Sequence, residues 1–113
     1  MSLSSKQQKF TSMIGNLIIY ATSKGYGLTF GDAYRDSRVH GNLGEKSSYS
    51  AANSNHKIRL AVDFNLFIDG KYITDGNHTA YIDIGSYWKS IGGCWGGDFN
   101  DANHFSLEHN GAK

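Results

Sequence analysis

The stretch Ile58-Arg59-Leu60-Ala61-Val62-Asp63-Phe64-Asn65-Leu66-Phe67 decides how the rest of the chain is read. Leu60, Val62, Phe64 and Leu66 alternate with Arg59, Ala61, Asp63 and Asn65. A period of two is the signature of a strand with one face buried. It predicts a strand over 58–67 with Asp63 on the face opposite Val62 and Phe64. Asp69-Gly70 follows as a hairpin turn signal, and Lys71-Tyr72-Ile73 as the returning strand.

Before this strand, the period changes to that of a helix. Phe10, Met13, Ile14, Leu17, Ile18 and Ala21 fall on one face of a 3.6-residue repeat, which predicts a helix over residues 4–24. Ser4 or Ser5 can cap its start, and Gly25 stands where a terminating glycine belongs. Tyr26 to Phe30 reads as a short strand. The segment from Asp36 to Asn55 is polar and rich in Ser, Gly and Asn, longer than a simple connection needs. Beyond the hairpin, Tyr81 to Ile91 reads as a short amphipathic helix carrying Tyr87, Trp88 and Ile91. Gly92 to Gly97 reads as a tight glycine loop, and His104-Phe105-Ser106-Leu107 as a closing strand. The fold class expected is α+β: a mainly antiparallel sheet with an N-terminal helix packed on it, in a single domain spanning residues 1–113.

Composition narrows the function classes. The chain has 113 residues with one Cys and no Pro, so no internal disulfide can staple it and no Pro-rich linker divides it. Eleven Lys and Arg balance ten Asp and Glu, for a net charge of +1. That balance argues against a nucleic-acid partner bound by phosphate neutralisation and against a polybasic membrane anchor. The apolar run after Lys6 and Lys9 is interrupted by Thr11, Ser12 and Asn16, which suits neither a signal peptide nor a membrane span. The expectation is a protein held in the cytoplasm with no stable membrane insertion, acting as a monomer.

Two segments carry candidate chemistry. One runs Ser54-Asn55-His56 to Asp63; the other runs Trp95-Gly96-Gly97-Asp98-Phe99-Asn100-Asp101-Ala102-Asn103-His104-Phe105. His56, Asp63 and His104 are the nitrogen and oxygen donors that a catalytic zinc takes, three from the protein with a fourth position left for water. A carboxylate outside the ligand set then carries the proton, and Asp101 suits that task if the Asp101–His104 turn aims both side chains at one point. Asp63 suits a ligand role if its strand lies beside the one bearing His104. The plain alternatives are Asp63 as an ion-pair partner and Asp101 as a turn residue. A closed structural zinc site would call on Cys94 or His109 as a fourth ligand.

The ordering His56-x6-Asp63, Trp95-Gly96-Gly97 and Asp101-x-x-His104-Phe105 resembles the zinc D-Ala-D-Ala carboxypeptidases and dipeptidases of the VanY/VanX type and the phage L-alanyl-D-glutamate endopeptidases. The similarity runs from Phe30-Gly31-Asp32-Ala33-Tyr34-Arg35 to His104-Phe105. It implies a hedgehog/DD-peptidase fold, one Zn2+ held by His56, Asp63 and His104, and Asp101 as general base. It further implies that Arg35 contacts the substrate carbonyl or carboxylate, and that Ser54 supports substrate or ligand geometry. The partner implied is the peptidoglycan stem peptide. Much of the family carries Glu where Asp101 stands; Asp is the phage endopeptidase form, so the resemblance leans toward an endolysin-like enzyme released to the cell wall. Many relatives have Gly where this chain has Arg59. The alternatives are a D-Ala-D-Ala carboxypeptidase or dipeptidase of the same fold and a non-catalytic zinc-binding module.

Overall fold

A computed structural model describes residues 2–31, 58–109 and 111. Arg35, Ser54, His56 and the polar 36–55 segment lie outside the described residues. Within them are a long N-terminal helix α1 (Leu3–Ser23), strands β1 (Gly27–Phe30), β2 (Ala61–Ile68) and β3 (Lys71–Tyr72), a second helix α2 (Thr79–Ser90), strand β4 (Cys94–Trp95), a 3-10 turn (Gly96–Phe99) and strand β5 (His104–Ser106). The strands form one sheet in the order β1-β2-β5-β4, with β3 on β2, and every pairing is antiparallel. The architecture is therefore a small α+β domain with an antiparallel sheet.

The predicted strand is the spine of this sheet. Leu60, Val62, Phe64 and Leu66 are all buried, while Asp63 and Asn65 on the other face are half-buried. The strand starts at Ala61, three residues later than its pattern suggests, because Arg59 has φ 60°, outside strand geometry. Its second half pairs with β1, from Gly27↔Phe67 to Phe30↔Phe64. Its first half pairs with β5, from Ala61↔Ser106 to Asp63↔His104. At the hairpin, Asp69 (φ 51°) and Gly70 (φ 78°) are both left-handed, the backbone that a two-residue turn matching the sheet twist requires.

In α1, Phe10, Met13, Leu17 and Ala21 are buried as the periodicity predicts, with Ile14 and Ile18 half-buried at the margin. Each large side chain among them contributes about 1.5–3 kcal/mol by leaving water. The helix starts earlier than expected. Ser2, not Ser4 or Ser5, is the N-cap, accepting from the Ser5 amide at 3.1 Å. At the other end Lys24 is the C-cap and Gly25 takes φ 80°. Helix α2 is capped by His78, whose Nδ1 accepts from the Ala80 amide at 3.0 Å.

Trp88 of α2 is the centre of the core. It is fully buried, edge-on to Phe10 of α1 at 5.8 Å and to Phe105 of β5 at 6.1 Å. Its indole N–H is shared between the carbonyls of Cys94 (3.1 Å) and Ser106 (3.0 Å), tying α2 to β4 and β5. Tyr20 and Tyr26 both donate to Asp83, at 2.5 and 2.8 Å, and so tie the end of α1 and the start of β1 to α2. The helices lie on the Val62–Phe64–Phe105 face of the sheet. The opposite face is the one that carries Asp63 and His104.

The expected glycine loop is not a loop throughout. Cys94 and Trp95 pair with β5, and Gly96 opens the 3-10 turn. Gly92 takes a left-handed φ of 105°, but Gly93 and Gly97, like Gly85 in α2, serve as clearance. A Cβ on Gly85 or Gly97 would overlap the Trp95 ring, and one on Gly93 would overlap the Trp88 indole. They mark where large rings lie flat against backbone.

Candidate active site

Asp63 and His104 are direct cross-strand partners, so their side chains leave the sheet on the same face. His104 Nδ1 lies 3.4 Å from Asp63 Oδ1, and both side chains are mostly shielded, at 8% and 16% exposure. This gap is longer than an ordinary N–H···O hydrogen bond of about 2.7–3.2 Å. Two ligands on tetrahedral zinc bonds of about 2.0–2.2 Å stand about 3.3–3.6 Å apart. One imidazole and one carboxylate at this spacing fit such an ion, and Asp63 and His104 are the described residues that would hold it. Among the described residues, no group of three or more His, Cys, Asp or Glu side chains is gathered to hold a metal. The third predicted ligand, His56, lies outside them.

The backbone around the pair is tight. Gly31 N–H donates to the Asp63 carbonyl at 2.7 Å, and a Cβ on Gly31 would come 3.2 Å from that of Asp63. On the other side, Phe64 N–H donates to the Asn103 carbonyl at 2.9 Å. Asp63 is thus clamped between the end of β1 and the turn before β5.

That turn carries Asp101. It begins at Asn100, whose φ of 64° is left-handed and reverses the chain after the 3-10 turn. Asp101 N–H then donates back to the Gly96 carbonyl at 2.8 Å, and His104 N–H donates to the Asp101 carbonyl at 3.0 Å. Gly96 is required by this crossing, since a Cβ there would meet the Asp101 carbonyl and come 2.6 Å from the His104 Cβ. Asp101 Oδ2 ends 3.9 Å from His104 Nδ1, and its side chain is 54% exposed. The turn therefore aims both side chains at one region, with His104 shielded and Asp101 open. An open cleft of about 270 Å³, lined in part by Tyr72, Thr74, Asn100, Asp101 and Asn103, adjoins it. Such an arrangement can pair an ion held at the Asp63–His104 end with a carboxylate that meets solvent and substrate.

The structure thus brings together three of the residues predicted from sequence: Asp63, Asp101 and His104. Arg35, Ser54 and His56 fall outside the described residues. Sequence reasoning did not find the parts that fix the turn. Gly96 and Asn100 are set by local geometry, and the Trp95 indole N–H donates to the Ala102 carbonyl at 2.7 Å. The Trp95-Gly96-Gly97 run drew notice only as a motif. Its signal was the two glycines, which make room for a ring and for a chain crossing.

The sequence over residues 48–107 matches the M15 peptidase family model described as D-alanyl-D-alanine carboxypeptidase. The match covers more than half of the chain, and the chain belongs to this family. It is a peptidase by family, and the matched segment contains Ser54, His56, Asp63, Asp101 and His104. No curated protein matches the chain at a significant level.

Proposed function

We propose that this protein is a zinc-dependent peptidase that hydrolyses the stem peptide of bacterial peptidoglycan. The observation that carries the reading is the register Asp63↔His104, which sets a carboxylate and an imidazole 3.4 Å apart with Asp101 at 3.9 Å from the same ring. His56, seven residues before Asp63 in the family segment, is the third ligand in this reading. The domain then has the hedgehog/DD-peptidase architecture as one catalytic unit over residues 1–113.

Bound zinc would supply a water acidified toward pH 7 and a Lewis acid for the scissile carbonyl. Asp63 and His104 would hold the ion from the sheet. Asp101, open to the cleft, takes a proton on its carboxylate from the attacking water and delivers it to the leaving nitrogen. Arg35 offsets negative charge developing on the substrate oxygen, and Ser54 orients the substrate or a ligand.

The bond favoured is L-Ala-D-Glu, because the proton carrier is Asp rather than Glu, the form the resemblance associates with phage endopeptidases. A second reading, cleavage of D-Ala-D-Ala, is favoured by the family description. No described helix is long and apolar enough to cross a membrane. Mass spectrometry of purified peptidoglycan digested by the zinc-loaded protein tests the proposal, since the fragment mass identifies the bond. One zinc per chain with no cleavage of any muropeptide would reduce the protein to a metal-binding module.

A further inference from the structure

We propose that Trp95 is a positioning residue for Asp101, acting through the Ala102 carbonyl. The inference rests on the reading of Asp101 as proton carrier. Trp95 lies on the helix side of the sheet, opposite Phe105 in the β4–β5 register, and is only 7% exposed. Its indole N–H nevertheless reaches past the end of β4 and donates to the Ala102 carbonyl at 2.7 Å. Ala102 immediately follows Asp101.

The carbonyls of the Asp101–Asn103 turn are held from three directions. Asp101 C=O accepts from His104 N–H, Asn103 C=O accepts from Phe64 N–H of β2, and Ala102 C=O accepts from Trp95. The first bond is local and the second comes from the sheet. The third comes from a ring whose own position is set by packing. Gly85 of α2 and Gly97 leave no room for even a Cβ beside that ring, and Lys89 stands over it at 5.6 Å. A short chain of contacts therefore runs from α2 through the indole to the peptide beside Asp101. The Asp101 side chain is half exposed, with its carboxylate 3.9 Å from the His104 ring. A side chain this exposed takes its position largely from its backbone, which Trp95 holds at the next peptide, and misplacement of a reacting group by about 1 Å costs on the order of 100-fold in rate.

The test removes the N–H and keeps an aromatic side chain. In Trp95→Phe, kcat on a soluble muropeptide should fall by about 10- to 100-fold with KM within about twofold, the signature of a transition-state interaction. Zinc content should stay at one per chain. Hydrogen exchange in the metal-free protein gives a readout independent of activity. The amides of Asp101 and His104 should exchange at least about tenfold faster, while that of Ile84 in α2 keeps its rate. If Trp95→Phe does not fold, replacing Trp95 by benzothienylalanine keeps the ring shape and deletes only the donor. Wild-type kcat, or exchange that quickens equally at Ile84, overturns the inference. Asp101→Asn run alongside separates the two claims. Full activity there sinks the functional reading, whereas an inactive Asp101→Asn beside a fully active Trp95→Phe sinks the role of Trp95 alone.

Discussion

Asp63 and His104 stand opposite each other across β2 and β5, their nearest side-chain nitrogen and oxygen 3.4 Å apart in a mostly shielded setting. Replacing either by Ala should remove zinc. Loss of a partner outside the ligand set costs roughly 10- to 100-fold in metal affinity, so loss of a direct ligand should exceed that. Metal analysis after dialysis reads the effect. Full zinc retention by both variants would move the metal site elsewhere.

Asp101→Asn should behave differently. The side chain is outside the ligand pair, so zinc should remain while kcat drops by about 100- to 10,000-fold, the usual worth of a positioned acid–base group. Turnover of a soluble muropeptide measures it, and an unchanged kcat would assign proton transfer to another group.

Gly93→Ala should destabilise the fold. The added methyl would run into the Trp88 indole, which is fully buried and bonded to both the Cys94 and Ser106 carbonyls. Overpacking of this kind costs about 1–3 kcal/mol. Urea denaturation should show a lower midpoint, and a wild-type midpoint would mean that Trp88 shifts freely.

The tie at Asp83 predicts how stability responds to pH. The Asp83 hydrogen bond, with burial and the Asp83 charge adding to it, pushes the Tyr20 phenol up to about 12, and Tyr26 rises for the same reason. A group whose pKa is raised by folding stabilises fully below its unfolded value, here about 10, and loses that contribution as pH climbs from about 10 to 12. For Asp83, burial pushes the pKa up, but the bonds from Tyr20 and Tyr26, with the charge of Lys24, outweigh it and hold the carboxyl below its ordinary range. Its contribution is therefore present above an unfolded pKa of about 3.9 and is lost as pH falls through the lower folded value. Ultraviolet titration should show a tyrosine ionising near 12 that disappears in Tyr20→Phe. Carbon NMR should show the Asp83 pKa rising in that variant.

Much of this layout was legible in the sequence, and the reason is periodicity. The alternation from Leu60 to Leu66 and the helical spacing from Phe10 to Ala21 each state which face is buried, and burial follows them. The facing of Asp63 follows too, since a strand offers only two faces. What escaped was whatever depends on close approach. Gly93 and Gly97 read as part of a tight glycine loop, but they and Gly85 serve as clearance for Trp88 and Trp95. Ser2 escaped as the cap because the helix begins before its first buried residue, where the pattern is silent. The bond from Trp95 to Ala102 joins residues in different structural contexts, and no local pattern encodes it.

The family match begins at residue 48, after α1 and β1 have ended. Yet α1 contributes Phe10, Met13, Leu17 and Ala21 to the core, and β1 covers the edge of β2 over four paired positions. The span that matches the family model and the span that builds the core are therefore different portions of this chain. A fragment trimmed to the matched span would keep every residue assigned to zinc and to proton transfer, and would lose Arg35. It would also expose one face of Trp88 and leave half of β2 as an open template for a neighbouring molecule, so its first reaction would be with itself.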